Sequence, residues 1–238
     1  MQDFNKLYQL QNKFLTWLLT LNMPIYLTGG TALGRFYLYH RFCDNLYLHV
    51  NDSNRFLNYI SNLNSKIGDT FNLDKNSTQY SEDFASFVII EDQVSLKIDL
   101  IRNVTFNPHK LTDYKYGQID TPLNILPKKL KALLWRNNEE DIFDIVHIAK
   151  SYSFNWADIS SNIELFAKYR FKDIKKRIEK YPVGKIKKAT WHKSKFDSVA
   201  FKTDLLQIAH DFETGANNSL GLNKLKLEMA LPIKEFQI

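Results

Sequence analysis

Tyr26-Leu27-Thr28-Gly29-Gly30-Thr31-Ala32-Leu33 decides the fold of this 238-residue chain. The run from Pro24 to Thr28 reads as a short buried strand, two glycines turn it, and Thr31 to Tyr39 restarts as a helix. A strand that enters a helix through glycines leaves backbone N–H groups at the helix start, a geometry that can hold phosphate. Glycines at such turns also serve for φ freedom alone, so spacing to other groups has to decide. A second strand follows at once, Asn45 to Val50. A period of two sends Leu46, Leu48 and Val50 to the core and places Asn45, Tyr47 and His49 on the other face.

Outward from this pair, Phe4 to Leu21 carries apolar residues at helical spacing, and Asp52 or Ser53 is placed to cap a helix running through Leu63. The polar stretch Asn64 to Asp83 reads as a loop with a short strand near Asp69 to Leu73. Ser86 to Ile90 and Val94 to Ile101 form an expected hairpin around Glu91-Asp92-Gln93, in which Lys97 and Asp99 share one face. From Pro122 the pattern turns helical, with Pro127 at an expected first helical position before Lys128 to Asn137, then Glu139 to Ser151. A break at Tyr152 to Trp156 precedes basic amphipathic helices that continue to Tyr181; Pro182 and Gly184 interrupt, and Phe196 to Phe212 is another helix. The reading is an α/β (α+β) protein: residues 1–121 a mixed sheet flanked by helices, residues 122–238 a helical region that completes the cleft.

Composition narrows the class further. With Cys43 as the single cysteine, an internal disulfide framework and a cysteine zinc site are both excluded. The first 21 residues mix Asp3, Lys6 and Lys13 into the apolar pattern, unlike a signal peptide, and no stretch nears the roughly 18 apolar residues that span a bilayer. A soluble cytoplasmic protein with no membrane partner is expected. The net charge of +6 is unevenly placed. Between residues 168 and 195 lie Lys172, Lys175, Lys176, Arg177, Lys187 and Lys188 among other cations, interleaved with Tyr169, Phe171, Tyr181 and Trp191. This is either a nucleic-acid surface with stacking aromatics or a solvated helix face whose aromatics pack inward.

Glycines at a helix start, candidate metal ligands on the next strand and an aspartate on a third strand make the geometry of nucleotidyl transfer, where carboxylates hold two divalent ions. On these residues the chain resembles the AbiEii/AbiGii-type nucleotidyltransferases of abortive-infection and toxin-antitoxin systems, within the polymerase-β-like superfamily. The family's L-x-G-G-T-A-L is intact at Leu27 to Leu33, and its H-R-x-S-x-D-L-D begins with His40-Arg41. There the match changes, because Cys43 replaces the serine and Asn45 and Tyr47 replace the two aspartates. The third acid matches Asp99 in Leu96-Lys97-Ile98-Asp99-Leu100. The family's K-L-x-A-L-x-x-R matches Lys129 to Arg136, and its R-D-x-x-D matches Glu140 to Asp144 with Glu140 in place of arginine.

The resemblance implies a polymerase-β-like nucleotidyltransferase fold and an ancestral transfer of a nucleotide from an NTP to an acceptor such as RNA or tRNA. It assigns catalysis to Asp99, Lys129, Asp141 and Asp144, and nucleotide binding to Gly29, Gly30, Thr31, Arg41, Lys129 and Arg136. Lys129 and Arg136 would reach the triphosphate or position the Asp141/Asp144 pair. The metal positions are Asp99, Asn45 and Tyr47, with Mg²⁺ as cofactor and an antitoxin protein as partner. An asparagine offers Mg²⁺ only a neutral oxygen and a phenol is a poor ligand, so impaired catalysis is expected. The alternative is a non-catalytic nucleic-acid- or partner-binding module that uses residues 168–195.

Overall fold

The computed structural model describes residues 3–51, 53–102, 109–167 and 170–233. Asp52, one of the two expected helix caps, and Lys168 and Tyr169 of the basic segment lie outside them. Helix α1 (Phe4–Thr20) starts where the Asp3 carboxylate accepts hydrogen bonds from the Asn5 and Lys6 amides, and it buries Leu7, Phe14, Leu15 and Leu18. After it, β1 (Ile25–Thr28) runs into α2 (Gly29–Thr31), which continues as a wider helical turn over Ala32–Tyr37 in which the Leu38 amide donates to the Leu33 carbonyl at 2.8 Å.

Strand β2 (Leu46–Val50) alternates as expected, with Leu46, Leu48 and Val50 buried. Helix α3 (Phe56–Thr70) runs seven residues beyond its expected end at Leu63. Polar composition misled there, because Leu63 and Ile67 extend the buried stripe begun by Phe56 and Ile60. No strand forms at Asp69 to Leu73. Leu73 makes one bridge to Ile89, and the edge strand is instead β3 (Gln79–Tyr80). The hairpin of β4 (Phe84–Glu91) and β5 (Val94–Arg102) turns on Asp92 and Gln93, both at positive φ. A second hairpin, β6 (Thr112–Tyr114) and β7 (Gly117–Ile119), which sequence reading passed over, turns on Lys115 and Tyr116 and enters β7 at Gly117, φ +98°.

Together these make one mixed sheet in the order β3-β4-β5-β2-β1-β7-β6. Strand β1 lies between β2, antiparallel, and β7, parallel, so the glycine turn leaves the sheet near its middle. Helix α4 (Pro122–Ala132) begins five residues before the expected Pro127, with Pro122 at its first turn and Thr121 as its cap, so Pro127 lies inside the helix. Helix α5 (Glu139–Ser151) opens with three acids, which suits the positive end of a helix, and is capped by the Asn138 side chain. After it come β8 (Tyr152–Ser153), α6 (Trp156–Ala167), α7 (Phe171–Glu179), α8 (Val183–Lys187), α9 (Ser198–Thr214) and β9 (Leu225–Lys226), which pairs in parallel with β8.

Candidate functional site

Gly29 has φ +69°, a backbone conformation that other residues adopt only under strain. Gly30 is needed for a different reason, since a Cβ there would lie 2.0 Å from Nη2 of Arg41. The Arg41 guanidinium therefore packs directly on the glycine turn. Thr31 Oγ1 donates to the Asn45 carbonyl and the Cys43 thiol donates to the Gly30 carbonyl at 3.3 Å, which fastens the turn to the segment leading into β2. Burial pushes that thiol up to about 11, so it is no nucleophile at neutral pH.

Beneath the turn lies a buried ion network. Asp144, fully buried on α5, accepts from Nε of Arg41 at 2.7 Å, from Nε2 of His40 at 2.6 Å and from Nζ of Lys129 at 2.7 Å. Lys129 also reaches Asp141 at 2.9 Å, and Arg136 grips Asp141 with Nε at 2.6 Å and Nη2 at 2.9 Å. Arg41 Nη2 makes a further contact with Glu140 at 3.1 Å. Burial pushes the Asp144 carboxyl up, but Arg41, Lys129 and His40 outweigh it and hold it well below the usual carboxylate range. Lys129 is likewise raised, because Asp144 and Asp141 outweigh the cost of burying its charge. Burial lowers His40 against the pull of Asp144; its Nε2–H donates to Asp144 while Nδ1 has no partner. Residues far apart in sequence thus tie the glycine turn to α4 and α5.

The positions expected to bind metal are arranged differently. Tyr47 is the register partner of Asp99 across β2 and β5, as the resemblance implies for two neighbouring ligands. Asn45 lies in the bend just before β2, one residue short of the strand face on which it was expected. Asp99 is buried, and both its oxygens are engaged, Oδ1 by the Ser86 hydroxyl at 2.8 Å and Oδ2 by Nζ of Lys97 at 2.9 Å. His49 accepts or donates at 3.1 Å with the Tyr26 hydroxyl, and burial lowers it to about 4, so it is neutral. Asp44 is exposed and lines a neighbouring cavity beside Phe42 and Trp191. Among the described residues, no three His, Cys, Asp or Glu side chains cluster as a metal site would need. Mg²⁺ calls for several oxygen ligands with net negative charge, and one ion-paired carboxylate beside a phenol and an amide does not fit it.

Above the turn opens a cavity of about 360 Å³. Of the residues singled out in the sequence, Gly29, Gly30, Arg41, Tyr47, Lys129, Arg136 and Asp141 line it, while Thr31, Asn45, Asp99 and Asp144 do not. Sequence reading missed Arg102, Lys128 and Lys131, which complete the wall. The i, i+3 spacing of Lys128 and Lys131 on one helix face was the available signal. Lys128 is aimed by Asp120, a fully buried acid that accepts from it at 2.7 Å and from Thr28 Oγ1 at 2.8 Å. Six lining residues are cationic (Arg41, Arg102, Lys128, Lys129, Lys131, Arg136) and two are acidic (Glu140, Asp141). Five of these cations have acid partners: Arg41 and Lys129 in Asp144, Arg136 in Asp141, Lys128 in Asp120 and Arg102 in Asp83 at 3.1 Å.

The basic segment divides in two. Lys175 pairs with Glu179 at 3.2 Å and with Glu213 at 3.5 Å, whereas Lys176 and Arg177 line a separate groove with Arg136. The interleaved aromatics pack inward: Phe171 against Phe212, Tyr181 buried, and Trp191 edge-on to Phe143. Lys172, Lys187 and Lys188 are exposed. No helix among the described residues is long and apolar enough to cross a membrane.

Neither a family model nor a curated protein sequence matches the chain. Solved structures do. JHP933 from Helicobacter pylori superposes with a TM-score of 0.64 at 18% identity, over 90% of this chain and 94% of that one. A second solved structure from H. pylori, assigned as a nucleotidyltransferase, gives 0.59 at 19% identity, over 86% and 95%. MenT4, a nucleotidyltransferase toxin of Mycobacterium tuberculosis H37Rv, gives 0.56 at 13% identity, over 86% and 82%. The chain therefore has the nucleotidyltransferase fold that its glycine turn and its downstream helices led us to expect.

Proposed function

We propose that the cleft above Gly29 and Gly30 binds the phosphates of a nucleoside triphosphate through fixed lysines and arginines, and that metal-dependent nucleotidyl transfer is impaired. One observation carries this reading. Six cations line the cleft that holds the glycine turn, while Asp99, the acid that would anchor a metal, is ion-paired with Lys97 and lies across from Tyr47. Guanidinium and ammonium groups supply there the charge that Mg²⁺ supplies in a metal-dependent site. Lys128 and Lys131 meet the outer phosphates, whereas Arg41, Lys129, Asp141 and Asp144 act from below by holding the turn against α4 and α5. The resemblance to toxin-side proteins makes an antitoxin the protein partner to seek, and the cytoplasm the compartment.

Isothermal calorimetry with each of the four NTPs, in EDTA and then in Mg²⁺ or Mn²⁺, tests the reading. Wild-type protein is expected to bind in EDTA with an affinity that metal changes less than about threefold. Lys128→Ala with Lys131→Ala is expected to weaken binding at least about tenfold, since each removes a charge-assisted contact. Binding that requires metal, or no binding under any condition, would overturn it.

A further inference from the structure

A second groove, of about 400 Å³, runs between α7 and the loop that follows α4. Five of its lining residues are cationic (Arg136, Arg170, Lys176, Arg177, Lys180) against one acid, Asp173, which is itself paired with Arg170 at 3.1 Å. Arg136 lines both this groove and the cleft above the glycine turn, so the two adjoin at that side chain. Trp135, next in sequence to Arg136 and 72% exposed, has the guanidinium of the lining residue Arg170 5.1 Å from its ring centroid. An indole left open to water beside a row of cations offers a flat surface for a base and charges for the phosphates on either side.

We infer that this groove holds a single-stranded segment of nucleic acid, one base stacked on Trp135 and the backbone on Lys176, Arg177 and Lys180, with the strand directed toward the cleft at Arg136. A duplex keeps its base faces covered except at its two ends, whereas every base of a single strand can reach the indole, so a single strand is the form that fits. The inference rests on the cleft reading only for the direction of the strand. An acidic protein could meet the cations, but stacking on Trp135 would then contribute nothing to discrimination between single and double strands.

Fluorescence anisotropy with a labelled ten-nucleotide RNA and a blunt RNA duplex of equal length tests it on the full chain. Wild-type protein is expected to prefer the single strand. Trp135→Ala should weaken that binding about tenfold, with the salt dependence unchanged and Trp135→Phe restoring most of it. Lys176→Ala with Arg177→Ala should lower the slope of log affinity against log salt by about 1.4, roughly 0.7 for each phosphate that is no longer neutralised. Equal binding of duplex and single strand, an unaltered affinity in Trp135→Ala, or an unaltered slope in the double variant would overturn the inference. NTP calorimetry on Trp135→Ala separates the two readings, because Trp135 does not line the cleft. NTP binding is expected to survive there; if wild-type protein binds RNA as described but no NTP, the cleft reading falls and this one stands.

Discussion

Tyr47 lies directly across the β2–β5 pairing from Asp99, and Ser86 lies across from Asp99 on its other side. The acid is thus flanked by a phenol and an alcohol, and its charge is met by Lys97. Restoring carboxylates should restore metal binding only if that lysine is also removed. The Asn45→Asp, Tyr47→Asp, Lys97→Ala variant is expected to bind NTP at least about tenfold more tightly in Mn²⁺ than in EDTA. Calorimetry that finds no metal dependence in this variant would show that the strand geometry itself excludes the ion.

Gly29→Ala and Gly30→Ala are expected to differ in cost. At Gly29 the added methyl meets Tyr47 at an ordinary 3.5 Å, so only the positive φ is penalised, about 1–2 kcal/mol. At Gly30 it would strike Arg41 at 2.0 Å and push the guanidinium away from Asp144, costing about 3–5 kcal/mol. Urea unfolding of both variants checks the order. Equal costs would mean that Arg41 can leave the turn freely.

Asp144→Asn leaves Lys129 and Arg41 buried beside a neutral amide and should cost about 3–5 kcal/mol in the same assay. Asp141→Asn should cost roughly half as much, because one of its partners, Arg136, has a side chain 56% exposed and can be hydrated instead. A mild effect at Asp144 would mean that the buried network does not hold the turn against α4 and α5.

Acid should destabilise the protein before Asp141 and Asp144 titrate. Burial lowers His40, lowers His49 to about 4 and, with His40 adding to it, lowers His147 to about 3. An unfolded histidine takes its proton near pH 6.5, so below that value the unfolded chain binds protons that the folded chain refuses, and stability falls with pH. Asp141 and Asp144 are held low in the fold, which adds a further loss below about pH 4 as the unfolded carboxylates protonate. Urea midpoints are expected to stay level from pH 8 to 7 and to drop from pH 6.5 to 5. A midpoint that is flat down to pH 5 would contradict the burial of these rings.

The glycine turn, the alternation of β2 and the hairpin at Asp92-Gln93 were legible because each is local: a period, a turn residue or a spacing set within a few positions. The extension of α3 was misread because its buried stripe, Leu63 and Ile67, is sparse among polar residues. The hairpin of β6 and β7 escaped because three-residue strands carry too little pattern. Lys128 and Lys131 were passed over in favour of their neighbour Lys129, since helical spacing tells which residues share a face but not what the face meets.

By itself the sequence determined the local elements of a mixed α/β sheet and, through the resemblance, a nucleotidyltransferase-like fold in which two of the three positions assigned to metal hold no acid. Backbone sterics and hydrophobic periodicity act over short range and are written directly in residue order. Only the tertiary structure decided which charges cancel. It gave Asp144 to Arg41 and Lys129, Asp141 to Arg136, Asp120 to Lys128 and Asp99 to Lys97, and set the paired cations around the glycine turn. Coulomb pairing depends on distance and burial between residues as much as a hundred positions apart, and that information exists only once the chain has folded.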